Sequence, residues 1–398
     1  MGSADGEDVE PDVGSSPDDE VQVVRREGRQ PASDAARRRR LALISGGALL
    51  ALVVIGAVVF ALTRGEEEPA ATTTTSTTTM TTTTVAGQPG PVAPLTGLEV
   101  DSADGGAVER LNRPALVGKI DNDPAAMPQI GLDRADVVIE LKVEGISRFM
   151  AVVHSQEVQQ LGPIRSARTS DPDLLAMFGR PLVAWSGGNP TVTRIMNSTP
   201  WIQSLNPDQT SDAYSRTRTK KAPHNLVVDV GRIYTYADEP PAVPAPLFGY
   251  LTEGADPGGV PVAGFDLMVG SSPSTYVWSQ ESSTWLRWAN LRPQVAEDGN
   301  RIAPANVVVL ATPYTTSTAD RLSPEAQTIG SGTAWVFTQG RMIEGRWERT
   351  EVSQPWQLSL ADGSPMLLTP GSTWVQLPSP DSGPRPFDAG RAATLLAG

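Results

Sequence analysis

Two arginines stand three residues apart in the stretch LGPIRSAR, Leu161 to Arg168, between an apolar run and a helix start. Ser170 suits the N-cap of that helix, and a proline follows in its first turn. A helix start offers free backbone N–H groups to an anion, and arginine adds bidentate donors for phosphate or carboxylate. The spacing therefore indicates an anion site at Arg165 and Arg168, with Arg148 of the preceding strand as a third cation.

The same arginines have a structural alternative. They could fix the turn by pairing with Asp136, Glu140 or Glu144, and Asp171 or Asp173 could occupy the helix start in place of a ligand. The spacing leaves both interpretations open.

The chain has two histidines, His154 and His224. His154 closes an apolar strand and is predicted to be a core or edge residue. His224 lies in KKAPHNL, close in sequence to four cations, which are Arg216, Arg218, Lys220 and Lys221. Like charge disfavours a cationic imidazole, and a neutral one can act as a general base or as a hydrogen-bond acceptor. A plain hydrogen bond to a loop carbonyl is the alternative.

Composition narrows the chemistry further. The 398 residues contain no cysteine, and two histidines alone do not suit a dedicated zinc site. Asp121, Asp123 and Glu140 could bind a hard cation, but their spacing is not that of an EF-hand, and no Walker or G-x-S-x-G motif occurs. We expect neither a metal nor a cofactor. A pair between Ser166 and His224 would require the fold to bring them together.

The elements that position these residues alternate in type between residues 95 and 238. The segments RPALVGKID, ADVVIELKV, ISRFMAVVHS and PLVAWSGG read as strands, while DPDLLAMFG and PTVTRIMN read as helices. This alternation predicts an α/β domain with a partly parallel sheet.

The pattern changes after a Pro/Gly-rich linker at residues 239–262. Residues 263–380 show short alternating strands and hairpin turns, which predict a mostly antiparallel β domain followed by a tail at 381–398. Seven of the nine tryptophans fall in the β domain, where burial in the core is favoured over stacking on sugars.

The N-terminal segments carry membrane signals. Residues 1–40 are rich in Asp and Glu, lack aromatic residues and read as a disordered cytoplasmic tail. Leu41 to Leu62 is uncharged and long enough for a bilayer core of roughly 30 Å. The four arginines at Arg37 to Arg40 orient this transmembrane helix by the positive-inside rule. Residues 63–94 form a Thr-rich stalk, so we predict a single-pass membrane protein with its C-terminal domains extracytoplasmic.

Several motifs together resemble the YerB-like family of bacterial envelope proteins, a family without an established reaction. The resemblance rests on Asp136, Glu140, Glu144-Gly145, Arg148, Gly162-Pro163-x-Arg165-Ser166-x-Arg168 and Pro223-His224-Asn225, and on C-terminal segments such as GTAWVFTQGRMIEGRWER. It implies a membrane-tethered protein with two extracytoplasmic domains. Many relatives are similar to lipoproteins, whereas this chain has no cysteine to carry a lipid. A motif shared across a family fits a shared pocket as well as a shared turn, and the pocket would add Ser166, Asn225, Glu140 and Glu144 to the candidate ligand-binding residues.

Three functions remain open at this point. The first is a binding or accessory protein that holds an anionic envelope component, such as a phosphate-bearing lipid-linked glycan or a peptidoglycan fragment. The second is an enzyme on the same ligands, with Glu140 or Glu144 and His224 as acid and base. The third is a scaffold whose β domain docks a protein partner. The binding protein is favoured over the enzyme, and the net charge of −13 gives no support for nucleic acid as a partner.

Overall fold

The computed structural model of the protein describes residues 90–397, which fall within one compact unit. The predicted cytoplasmic tail (1–40) and membrane span (41–62) lie outside the described residues, as does most of the stalk (63–94). Within the described range, no helix is both long enough and apolar enough to cross a bilayer.

The described residues are mostly β-structure. The strands are β1 Leu116–Ile120, β2 Val137–Lys142, β3 Ser147–Val153, β4 Gln160–Leu161, β5 Leu182–Ala184, β6 Gln203–Leu205, β7 Tyr214–Arg216, β8 Leu226–Asp229, β9 Val260–Pro261, β10 Gly264–Val269, β11 Ser272–Ser279, β12 Thr284–Ala289, β13 Arg292–Pro293, β14 Asn306–Leu310, β15 Tyr314–Thr316, β16 Pro324–Ala326, β17 Gly330–Thr338, β18 Arg341–Arg349, β19 Gln357–Ser359, β20 Thr373–Leu377 and β21 Arg385–Phe387.

The helices are few and short. They are α1 Gly105–Arg110, α2 Asp171–Leu175, α3 Pro190–Ser198, α4 Val230–Tyr234 and α5 Ala389–Ala397. The predicted helix at PTVTRIMN is confirmed as α3, whose first turn is capped by Asn189 and begins with proline. The predicted helix at DPDLLAMFG is shorter than expected. It leaves α geometry after Leu175 and ends before Gly179, whose φ of 81° cannot continue a helix.

One mixed sheet of eleven strands forms the centre of the fold. Its order is β19-β18-β17-β14-β20-β2-β3-β1-β5-β6, with β9 paired to β18. The predicted parallel pairing is present where β1, β5 and β6 run side by side, and β5, α3 and β6 form a β-α-β unit. A second sheet of five antiparallel strands, β13-β12-β11-β10-β21, comes wholly from the C-terminal segment.

The central sheet joins the two segments that we expected to form separate domains. Strand β20 lies parallel to β2, with Val137 opposite Thr373 and Leu141 opposite Leu377. All five residues of β20 are buried, and its apolar side chains enter the core on both faces of the sheet. The two segments therefore share their cores, because β20 completes its hydrogen bonding only between β14 and β2.

The predicted linker also contributes to this core. Leu247, Phe248 and Leu251 are buried, and the Leu251 N–H donates to the Leu368 carbonyl at 2.8 Å. The predicted burial of the C-terminal tryptophans holds for five of the seven, which are Trp285, Trp288, Trp347, Trp356 and Trp374. Trp278 and Trp335 are half-buried.

Candidate functional site

Several strand ends meet at one edge of the central sheet. Strands β1, β2 and β5 run in the same direction and end at this edge, whereas the antiparallel β3 begins there. Asp121 directly follows β1, Glu144 follows β2 by two residues, and Arg148 is the second residue of β3. In open sheets with parallel strands, ligands bind outside the carboxyl ends of the strands.

The predicted arginine turn, residues 165–168, is hydrogen-bonded into this edge. The Arg165 N–H donates to the Lys119 carbonyl at 2.8 Å, which joins the turn to β1. The Ala167 N–H donates to the Gly187 carbonyl at 3.1 Å, which joins it to the loop after β5. Gly187 has a φ of 94°, and a Cβ atom there would lie 2.8 Å from Ser166 Oγ. Only glycine allows the loop to approach the turn so closely.

Asp121 brings Arg165 and His224 together. Its Oδ2 atom lies 2.9 Å from Arg165 Nε and 2.8 Å from His224 Nδ1. The Arg165 contact has ion-pair distance without hydrogen-bond alignment, whereas the His224 contact is a hydrogen bond. Asp121 is fully buried, and the side chains of Arg165 and His224 are 23% and 20% exposed. The aspartate therefore anchors two partly exposed groups from below.

The sequence suggested Asp121 only as a ligand for a hard cation, and this contact with Arg165 and His224 was not predicted. The sequence feature that could have indicated this role is the position of Asp121, directly after the buried strand LVGKI. The cations near His224 in sequence are not its hydrogen-bond partners, because the fold places the Asp121 carboxylate against the imidazole instead.

Arg168 follows the structural alternative. Its Nε donates to Glu144 Oε1 at 2.7 Å, and its Nη2 contacts the second carboxylate oxygen. Burial alone would raise the pKa of Glu144, but hydrogen bonds from Arg168 and from Ser323 outweigh burial and hold that pKa at about 2. Arg168 and Glu144 form a tight bidentate pair at the edge of the site.

The start of α2 follows the alternative in which an aspartate lies there. One carboxylate oxygen of Asp171 accepts the Arg168 N–H at 2.9 Å and the other accepts Lys119 Nζ at 2.7 Å. Ser170 makes no capping hydrogen bond, since its Oγ accepts the Ala326 N–H instead. Burial lowers the pKa of Lys119 to about 8, although the contact with Asp171 opposes that shift.

Arg148 differs from the other cations of the site. It is only 6% exposed, and its Nη1 donates to the Ser166 carbonyl at 3.2 Å. Its buried Nε has no hydrogen-bond partner, and no carboxylate among residues 90–397 forms an ion pair with it. Burial, followed by the charges of Arg168 and Arg165, lowers the pKa of Arg148 to about 10, although Asp121 and Glu144 oppose that shift. Arg148 is thus a buried cation without a counter-ion from the described chain.

Two predicted ligand residues lie outside this cluster. Glu140 is fully buried, accepts from Arg287 at 2.9 Å and also accepts from Ser147 at 2.5 Å. Asn225 is buried and closes its own loop, accepting from Arg216 at 2.7 Å and donating to the backbone. Internal hydrogen bonds account for both side chains. Of the eight predicted residues, the structure gathers Glu144, Arg148, Arg165, Ser166, Arg168 and His224.

The C-terminal segment forms one side of the candidate site, and the sequence did not predict this contribution. The loop between β15 and β16 lies against the arginine turn, with Ser317 Oγ 2.9 Å from Thr169 Oγ1 and Ser323 Oγ bonded to Glu144. Asn189 also donates to the Ala319 carbonyl at 2.9 Å. Beside this loop lies a cavity of about 380 Å³, whose lining includes Lys142, Glu144, Tyr314, Arg321 and Ser323. No local signal marks this loop, since it follows the turn by about 150 residues.

The other histidine and the acidic groups do not extend the site. His154 is fully buried as predicted, and burial, followed by the charge of Arg113, lowers its pKa to about 4. In the part of the chain that the structure describes, no three or more side chains of His, Asp or Glu are grouped to hold a metal ion.

Comparisons with known proteins match the N-terminal and the C-terminal segment to one family. The family described as protein of unknown function DUF3048 matches with its N-terminal domain at residues 95–242 and with its C-terminal domain at 265–375. The protein named "Putative lipoprotein YerB" of Bacillus subtilis (strain 168) is 27% identical over 298 residues, which span 72% of this chain and 85% of that protein. The crystal structure of YerB protein from Bacillus subtilis matches with a TM-score of 0.63 at 22% identity, covering 74% of this chain and 99% of that one. The likeness in structure shows a shared fold.

Proposed function

Because this chain belongs to the YerB-like family defined by the two DUF3048 domains, we propose that it is an extracytoplasmic protein of the cell envelope that binds an anionic envelope component at the arginine turn. The name of its Bacillus relative, "Putative lipoprotein YerB", supports the envelope location. Here the uncharged segment Leu41 to Leu62 would serve as a single-pass membrane anchor in place of a lipid, because the chain has no cysteine.

The charge balance of the site carries the proposal. The site contains four cationic side chains and three carboxylates. The cations are Lys119, Arg148, Arg165 and Arg168, and the carboxylates are Asp121, Glu144 and Asp171. The carboxylates lie against three of the cations, which leaves Arg148 as the uncompensated one. A buried charge without a partner costs several kcal/mol, unless a counter-ion binds beside it. An anion bound between Arg148 and Arg165 would supply that counter-ion.

The exposure of the site fits a small anionic group on a larger molecule. Arg165, Ser166 and His224 are each partly exposed, so a ligand can reach them from solvent while Arg148 contacts it from beneath. A guanidinium group pairs well with phosphate or carboxylate oxygens. The phosphate of a lipid-linked glycan and the carboxylate of a peptidoglycan fragment share this chemistry, and both occur beside a membrane-anchored domain.

The decisive variant is Arg148→Met, compared with the wild type in the part of the chain from residue 90 onward. In buffer without phosphate we expect its melting temperature to equal or exceed that of the wild type, because an apolar side chain replaces an uncompensated buried charge. Added phosphate or pyrophosphate should raise the melting temperature of the wild type and leave that of the variant unchanged. A ligand at 100 times its Kd adds about 2.7 kcal/mol of stability.

The matched control is Arg391→Ala, which removes an arginine paired with Asp266 in the C-terminal sheet. It should keep the full response to phosphate. Acetate and a muramyl peptide, tested alongside, would distinguish a carboxylate ligand from a phosphate ligand. The proposal fails if no anion stabilises the wild type, or if Arg148→Met responds to phosphate as strongly as the wild type does.

A further inference from the structure

We infer that the arginine turn hydrolyses a phosphate ester, with His224 as the general base and Asp121 as its positioning residue. This inference rests on the proposed anion site and adds a reaction to it. The sequence alone suggested Glu140 or Glu144 as the acid or base beside His224. In the structure, neither carboxylate is available for that role. Glu140 is held in a buried pair with Arg287, and Glu144 in a bidentate pair with Arg168.

The geometry of His224 is that of an oriented proton acceptor. Its Nδ1 is 2.8 Å from the buried Asp121 carboxylate, which selects the tautomer with the proton on Nδ1. Nε2 then carries the free lone pair, and it has no hydrogen-bond partner among residues 90–397. A base oriented by a carboxylate through its other nitrogen is the arrangement found in nucleophile-activating sites on unrelated folds.

The neighbouring cation ties this base to the anion site. Arg165 contacts the same Asp121 oxygen as His224, so the guanidinium and the imidazole are held side by side. A phosphate group on Arg148 and Arg165 would lie next to His224 Nε2. The two arginines would also stabilise the negative charge that develops on the phosphate oxygens in the transition state.

The reaction needs only water as the second reactant. The oxygen of water forms a bond to phosphorus while the bond from phosphorus to the ester oxygen breaks. His224 Nε2 takes one proton from the attacking water and then passes it to the departing alkoxide. The products are an alcohol and a phosphate group with one more free oxygen, and His224 returns to its neutral form.

The experiment measures binding and turnover separately on the same preparations. Turnover is followed with p-nitrophenyl phosphate and with bis(p-nitrophenyl) phosphate, and binding with phosphate by calorimetry. We expect His224→Ala to retain phosphate binding and to lose turnover by roughly 100-fold or more, the usual contribution of a general base. Added imidazole should restore part of that turnover, which a purely structural histidine would not allow. Asp121→Asn should lower kcat and also change KM, because Asp121 contacts Arg165 of the anion site as well as His224.

Lys221→Ala is the control, because Lys221 is an exposed neighbour of His224 in the same loop. It should hydrolyse both esters like the wild type. If the wild type binds phosphate but cleaves neither ester faster than His224→Ala, the hydrolase inference is overturned and the binding function stands. If phosphate does not bind to the wild type at all, the hydrolase inference is overturned, and the binding function stands only if a carboxylate ligand stabilises the wild type.

Discussion

Glu144 shows how single residues set the electrostatics of this site. Its carboxylate accepts from Arg168 and Ser323, so it neutralises one of the two arginines of the turn. Arg148 has no such carboxylate partner. In the proposed function, Arg168 fixes the turn and Arg148 contacts the ligand.

The depressed pKa of Glu144 gives a prediction about acid stability. Its folded pKa of about 2 lies below the ordinary value of 4.5. The resulting stabilisation is therefore fully present above pH 4.5 and is lost as the pH falls toward 2. We expect Glu144→Gln to flatten the fall in unfolding free energy over that window, measured by denaturant titration at several pH values. Slopes that coincide for variant and wild type would contradict the assignment.

Among the elements, helix α3 connects the loop after β5, which contains Gly187, to the C-terminal segment. Its N-cap residue Asn189 accepts the Val192 N–H at 2.9 Å and donates from the same side chain to the Ala319 carbonyl. The cap therefore fixes both the loop that holds Ser166 in place and the loop after β15. The first contact is local in sequence, and only the fold provides the second.

We predict that two substitutions at Asn189 separate these contacts. Asn189→Ala removes both and should lower the unfolding free energy by about 1 kcal/mol or more, the usual cost of a lost N-cap. Asn189→Asp keeps an acceptor for the cap and loses only the donor to Ala319, so it should cost less. Equal losses in the two variants, measured by chemical denaturation, would mean that the contact with Ala319 and not the cap determines stability.

At the scale of the whole molecule, the shared sheet determines how the chain comes apart. Residues 239–246 are largely exposed, and a chain without backbone hydrogen bonds is open to proteases. The segments on either side nevertheless stay joined, because β2 of one pairs with β20 of the other and both segments contribute to both hydrophobic cores. A cut in this stretch breaks the chain but leaves those contacts in place.

We therefore expect limited proteolysis to yield two fragments that stay together. Denaturing gels should show a cut near residues 239–246, while size-exclusion chromatography should show one species of unchanged size. An uncut sample of the same protein is the control. Fragments that elute separately would contradict the parallel pairing of β2 with β20 and restore the picture of two independent domains.

The amino-acid sequence by itself determined the local features of this protein. Runs of apolar and β-branched residues located β1, β2 and β3, the segment PTVTRIMN predicted α3, and the joint motif identified the family and the arginine turn. These features depend on the backbone and on near neighbours, so they can be read from short windows of the chain.

Only the tertiary structure decided which charged groups meet. His224 and Asp121 are 103 residues apart in the chain, and Arg287 and Glu140 are 147 apart. The parallel neighbours β2 and β20 come from opposite halves of the chain. An ion pair or a strand pair depends on distance in space, and no periodicity in the sequence encodes the partner. The same reason explains why Arg148, one of three arginines around a single motif, emerged as the uncompensated one only from the folded chain.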